Sequence, residues 1–422
     1  MGITLYVSFF FSLLIYNLYQ KYSAPVRYRY LYDITITIAL ICILVIWYNA
    51  TLRLSYAIVP YFVLGLGPCV TRELRIQQIK EEEKTTLLIY HDNIFMKKLC
   101  FIIPYFGHFS NYFPLFLKTC HANKNFDWLL LTDDDINYEY PINVHKVTMT
   151  FEEYKKLIQS KLNCDVNINN PYKLCDLKPM YGYILEEYIT EYSYWGHCDT
   201  DILMGNLEEV LTDSFLNEYD KLFCLGHMTI YRNTPQNNRV FMSEHNGRYI
   251  YREVLATPEI CWFDEEWNND YNINRIFLGQ GKRVFQKDLS LNISMSYNHF
   301  RCTRYVGTQN TTMAYGYEVE KNKKALYLWD NGQLYRLYME NGILKREDFL
   351  YMHMQKRVMR MDKSILQMDK FKIVPDEFLP LEVEKVSPSN FMKIKKTGYC
   401  RHTQRMLKNR IIQKIHKIRH TK

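Results

Sequence analysis

From Met96 to Leu207 short apolar runs alternate with longer amphipathic stretches, and this alternation restricts the fold more than any other feature of the chain. Met96 to Gly107 reads as a buried strand closed by a Pro/Gly loop. Phe109 to Ala122 follows as a helix, Trp128 to Thr132 as a buried strand ending in Asp133-Asp134-Asp135, and Val144 to Thr148 as a short strand. Phe151 to Leu162 is amphipathic. Lys173 to Glu191, interrupted near Pro179, leads helically into a strand that carries Tyr194 to Leu203. Apolar strands separated by helices predict an α/β domain with a mainly parallel sheet. Ligands of such sheets sit beyond the carboxyl ends of the strands. The loop Pro104–Gly107, the turn Asp133–Asp135 and the pair Asp199–Asp201 all fall at such ends.

Asp199-Thr200-Asp201 carries the chemistry. Side chains alternate along a strand, so Asp199 and Asp201 are expected on one side. Two carboxylates that close repel and cost desolvation unless a cation lies between them. Hard oxygen donors suit Mg²⁺ or Mn²⁺, which often complete their shell with substrate phosphates. The plainer reading of a bare Asp-x-Asp is a strand ending in a polar turn. Further along, Leu222 to Leu225 and Gly226 to Asn233 read as strand-like elements, and residues 325 to 345 as a β-hairpin turning at Asp330-Asn331-Gly332. Asp264, Glu265 and Glu266 lie among Trp262, Phe263 and Trp267. Rings that stack on a sugar and acids that accept from its hydroxyls suit carbohydrate binding; a solvated acidic turn is the alternative.

The ends of the chain are of another kind. Ile3 to Tyr19, Ile34 to Tyr48 and Leu54 to Val70 carry no charge. A helix over the first would span roughly 26 Å, a little under the ~30 Å hydrocarbon core of a bilayer. About three transmembrane helices are therefore expected in residues 1–72, followed by a linker over 73–95. Arg27, Arg29, Arg72 and Arg75 flank the runs so as to place the bulk of the chain on the cytoplasmic face of a multi-pass membrane protein. The net charge of +8 is concentrated in a basic tail, 385–422, where Leu407, Ile411, Ile415 and Ile418 recur at helical spacing. Such a tail suits an anionic membrane surface; no recognised module supports a nucleic-acid partner. Eleven cysteines without a CxxC pair read as reduced thiols.

The strand into Pro104-Tyr105-Phe106-Gly107, the stretch Lys178-Pro179-Met180-Tyr181-Gly182, the strand ending in Asp199-Thr200-Asp201, and His353-x-x-Lys356 together resemble bacterial GT-A-type glycosyltransferases of surface-polysaccharide clusters. More distantly the chain is similar to glycosyltransferase family 8. The resemblance covers about residues 97 to 360, and its most specific block runs from Lys173 to Leu207. It implies a GT-A, Rossmann-like nucleotide-diphospho-sugar transferase domain, here 96–380, preceded by the membrane segment. It further implies a metal-dependent transfer of a sugar from a nucleotide-sugar donor to a surface glycan or lipid-linked acceptor. Asp199, Asp201 and His353 would hold the metal, Mn²⁺ rather than Mg²⁺ because a histidine nitrogen joins the oxygens. Lys356 would sit on the diphosphate and neutralise it as it departs. Pro104, Tyr105, Phe106, Lys178 and Asp199 would bind the donor, and Asp264 and Glu265 would hold acceptor hydroxyls or act as base. The acceptor-loop and terminal glycine-tryptophan signatures of family 8 are blurred, which leaves retention or inversion open. A nucleotidyl- or phosphotransferase, or a non-catalytic sugar-nucleotide-binding protein anchored to a membrane, are the competing readings.

Overall fold

The run from Leu99 to Pro104 is buried throughout and ends the first strand, β1 (Lys97–Pro104). In the computed structural model, β1 lies inside a seven-stranded sheet with β2 (Phe126–Thr132), β3 (Val144–Thr148), β4 (Tyr192–Cys198), β6 (Lys221–Leu225), β7 (Met228–Arg232) and β8 (Val284–Phe285), in the order β3-β2-β1-β4-β7-β6-β8. β1 to β4 are parallel, and β7 runs against its neighbours β4 and β6. The structure describes residues 96–162, 164–266, 270–293, 300–307, 316–321, 323–355 and 357–397, together with positions 404, 408 and 411. These belong to one compact unit, Met96–Lys422.

Alternation in β1 sends Leu99, Phe101 and Ile103 into one core cluster and Cys100 and Ile102 into another. Both faces of the sheet are therefore covered, which is why its central strands read as unbroken apolar runs rather than alternating ones. The helix Phe113–His121 packs with the first cluster. The helix Phe151–Lys161, begun by a Thr150–Glu153 capping box, sends Tyr154 and Ile158 into the second.

Two further sheets modify the expected single sheet. The second contains β5 (Ile202–Met204), β9 (Ser290–Ile293), β10 (Cys302–Tyr305), β11 (Tyr317–Val319) and β15 (Tyr351–His353), in the order β11-β10-β9-β15-β5. The third contains β12 (Ala325–Asp330), β13 (Gln333–Glu340), β14 (Ile343–Asp348), β16 (Arg360–Met361), β17 (Lys370–Val374) and β18 (Glu377–Pro380), in the order β14-β13-β12-β17-β18-β16. Asn331 and Gly332 both have positive φ (49° and 85°), the twist that joins two antiparallel strands in a two-residue turn. Asn341 and Gly342 repeat it, so the expected hairpin is a three-strand meander.

The expected fold class needs correction at its amino end. Crossing a bilayer takes about 20 residues of helix. The longest α-helix among the described residues, Phe151–Lys161, has 11 residues and is charged. No helix among the described residues is long and apolar enough to cross a membrane. Residues 1–72, on which the transmembrane helices were expected, and the linker 73–95 lie outside the described residues. Among the described residues the fold is therefore a mixed α/β arrangement of three sheets, and neither N-terminal transmembrane helices nor a multi-pass membrane location has support. Most of the basic tail also lies outside the described residues.

Candidate metal centre

β4 ends at Cys198, so Asp199, Thr200 and Asp201 occupy the turn between β4 and β5 rather than a strand. Strand alternation is therefore not what brings the two carboxylates together. The turn is held from outside: Asp199 N donates to the His227 carbonyl (3.1 Å), and Met354 N donates to the Asp201 carbonyl (2.9 Å). β15 pairs antiparallel with β5 and sets His353 opposite Ile202. On its other edge β15 runs parallel to β9, with His353 opposite Asn292.

This register builds a three-donor group. His353 Nε2 lies 3.5 Å from Asp201 Oδ1 and 3.8 Å from Asp199 Oδ2. One donor atom from each of the three lies within 4.8 Å of the others. Donors around a Mg²⁺-sized ion, each about 2.1 Å from it, lie at most about 4.2 Å apart, so the two measured separations fit one divalent cation. His353 Nδ1 is 3.2 Å from Asn292 Oδ1. An amide oxygen accepts, which puts a proton on Nδ1 and turns Nε2 toward the carboxylates. Burial works against a charge on His353, but Asp201 and Asp199 outweigh it and hold its pKa above the ordinary histidine value.

Lys178 joins this group to a second one. It lies in a 3₁₀ helix, Pro171–Met180, begun by the Asn170 side chain and carrying Pro179 where an α-helix would need a backbone donor. Its Nζ donates to Asp199 Oδ1 and to the Gly226 carbonyl, both at 2.7 Å, and sits 3.5 Å from Asp264 Oδ2. Burial alone would lower its pKa; Asp199 and Asp264 hold it above the usual lysine range. A Cβ at Gly226 would stand 2.4 Å from Asp264 Oδ2, so a larger residue there would displace the Asp264 carboxyl. Burial pushes Asp264 up to about 8 against the pull of Lys178, and raises Glu265 as well. Four carboxylates, Asp199, Asp201, Asp264 and Glu265, thus share Lys178 and His353. The close approach of Asp199 and Asp201 in a partly buried place favours a cation between them.

The remaining expected residues divide. Glu266 is bound by Arg275, whose Nε donates to it at 2.8 Å, and so serves the structure. Pro104 is buried at the end of β1, and Phe106 packs on Phe151 and Tyr154 in the core, so neither presents a face to a ligand. Tyr105 is half-buried, donates to the His108 carbonyl (3.1 Å), and feels Asp201 and Asp134, which together with burial raise its pKa. Lys356 lies outside the described residues. The Asp133–Asp135 turn organises the loop after β1: Gly107 N donates to Asp133 (2.7 Å), and Phe109 N and Ile136 N to Asp134 (both 2.9 Å).

Sequence reasoning missed Asn292, whose role follows only from the β9–β15 register. It missed His227 as well, which sits in the tight β6–β7 turn. The His227 ring lies 4.5 Å from that of His353, its Nδ1 is 2.7 Å from the Tyr351 hydroxyl, and its Nε2 is buried without a hydrogen-bond partner. Only the adjoining Gly226 hinted at it.

A model of a family of unknown function matches residues 101–382. The chain belongs to this family, DUF6625. The DUF6625 match contains every residue of the three-donor group, Lys178, and the Asp264–Glu265 pair. No curated protein matches the chain.

Proposed function

We propose that this chain is a metal-dependent glycosyltransferase that moves a sugar from a nucleotide-sugar donor to a glycan or lipid-linked sugar acceptor. The observation that carries the reading is the Asp199–Asp201–His353 group at the carboxyl end of β4, joined through Lys178 to the buried Asp264, whose pKa, like that of the adjacent Glu265, is raised. The resemblance of the Lys173–Leu207 block to GT-A-type enzymes supplies the donor class. A divalent ion, Mn²⁺ before Mg²⁺, would offset the charge that builds on the departing diphosphate. Asn292 fixes the His353 tautomer that binds metal. Lys178 donates to Asp199 and ties its position to that of Asp264. A carboxyl group that exchanges its proton near neutrality, as Asp264 does, suits proton transfer with an acceptor hydroxyl.

The test is incubation of the full chain with Mn²⁺ and a panel of nucleotide sugars, scoring hydrolysis or transfer. Turnover that EDTA abolishes is expected. Turnover of nucleoside triphosphates with no nucleotide sugar consumed would move the reading to nucleotidyl transfer, and metal-independent turnover would remove the proposed site.

A further inference from the structure

We propose that Trp262 is the surface against which the acceptor's sugar ring stacks, and that the buried pair Lys173–Asp176 is what presents it. The proposal rests on the glycosyltransferase reading and names the acceptor class: a pyranose with an exposed C–H face.

The geometry starts in the 3₁₀ helix Pro171–Met180. In that helix side chains three residues apart eclipse, so Lys173 lies over Asp176, with Nζ 2.8 Å from Oδ2. Both side chains are fully buried. Removing two charges from water is costly, and such a pair persists only where its remaining hydrogen bonds are filled. Here one loop fills them. Asp176 Oδ2 accepts from Cys261 N (2.9 Å) and Oδ1 from Phe263 N (3.0 Å), while Lys173 Nζ donates to the Glu259 carbonyl.

The residue between the two gripped amides is Trp262. Drawing the amides before and after it onto one carboxylate turns its backbone left-handed, with φ 52°, a conformation that bulky L-residues avoid. The neighbouring Phe263 points into the core. Trp262 goes the other way and is 45% exposed, unusual for the largest apolar side chain. A loop that needed only to close would not require a half-exposed indole in this backbone state. Asp264, which meets Lys178 and Gly226, is two residues on, so the Cα atoms of Trp262 and Asp264 are at most ~7 Å apart. The half-exposed indole is thus two residues along the chain from the carboxyl group that meets Lys178. A pyranose offers the complement, C–H groups on one face and hydroxyls around the rim.

The test uses the full chain and its variants Trp262→Ala, Trp262→Phe and Asp176→Asn. Saturation-transfer NMR is recorded with methyl β-glucoside, methyl β-galactoside and lactose, and Mn²⁺ affinity is measured on each protein. The expected result is saturation of ring C–H protons of at least one saccharide by the unmodified chain. Trp262→Ala should cut that signal about tenfold and Trp262→Phe should restore most of it. Asp176→Asn should lower it to the Trp262→Ala level, with Mn²⁺ affinity kept within about twofold in all three, a split that general unfolding would not produce. Equal signals from the unmodified chain and Trp262→Ala, or no saccharide signal at all, overturn the proposal. A full signal in Asp176→Asn removes the positioning role of the pair. Mn²⁺-dependent nucleotide-sugar turnover without saccharide contact at Trp262 defeats this inference alone. Contact at Trp262 without nucleotide-sugar turnover defeats the transferase reading instead.

Discussion

Two clusters in this molecule contain the same chemical groups and differ in how their oxygens are used. His108, Asp134 and Asp135 bring three donor atoms within 4.8 Å of one another, as do Asp199, Asp201 and His353. In the first, Asp134 is buried and its oxygens accept from Phe109 N and Ile136 N, while His108 is an exposed side chain whose Nδ1 lies 3.8 Å away. Those carboxylate oxygens hold the loop after β1. In the second, the oxygens face cationic or titratable partners, Lys178 and His353, and the histidine is part-buried and oriented by Asn292. Proximity of acids therefore does not make a site. What separates the two is whether backbone amides have already claimed the lone pairs.

Substitutions can break that contrast or sharpen it. The largest effect is expected from Asp201→Ala, which should cut Mn²⁺-dependent turnover by at least ~100-fold in a nucleotide-sugar assay, as when a charge-stabilising group is lost. A variant with near-full rate would make the two clusters equivalent. Asp134→Ala should act on stability instead. It strips the acceptor from two backbone amides, one of them buried, and should cost about 2 kcal/mol in chemical denaturation while leaving Mn²⁺ affinity unchanged. Asn292→Ala should weaken Mn²⁺ binding by about tenfold in calorimetry, because His353 loses the partner that fixes its tautomer. His108→Ala, at an exposed position of the first cluster, should change neither stability by more than about 0.5 kcal/mol nor metal affinity.

The pH dependence adds a further check on the second cluster. If Asp264 acts as a base, turnover should rise as pH increases through about 8, where its carboxyl loses the proton. Asp264→Asn should flatten that limb of the rate profile.

The parallel half of the first sheet was legible because both of its faces are buried, so β1, β2 and β4 read as apolar runs with punctuated ends. Asp199 and Asp201 were legible as residues but not as geometry, since the turn that carries them has no periodicity to read. His353 was reachable through a family resemblance; Asn292 was not, because a lone asparagine before an apolar residue signals nothing until β9 and β15 are aligned. The Lys173–Asp176 pair lay inside a stretch already singled out, yet α-helical reasoning obscured it. Only 3₁₀ geometry eclipses positions three apart. Phe106, which packs on Phe151 and Tyr154, was ambiguous for a simple reason: an aromatic after a strand-ending proline fits a core as well as it fits a nucleobase.

The pairing of β5 with β15 has a consequence for how the protein is made. During translation the Asp199–Asp201 turn leaves the ribosome long before the strand that supplies the histidine. A nascent chain, or a product cut short ahead of Tyr351, carries the acidic turn without the nitrogen donor of the three-donor group. The three-donor group is therefore completed late in biosynthesis, once nearly the whole domain has been released to fold.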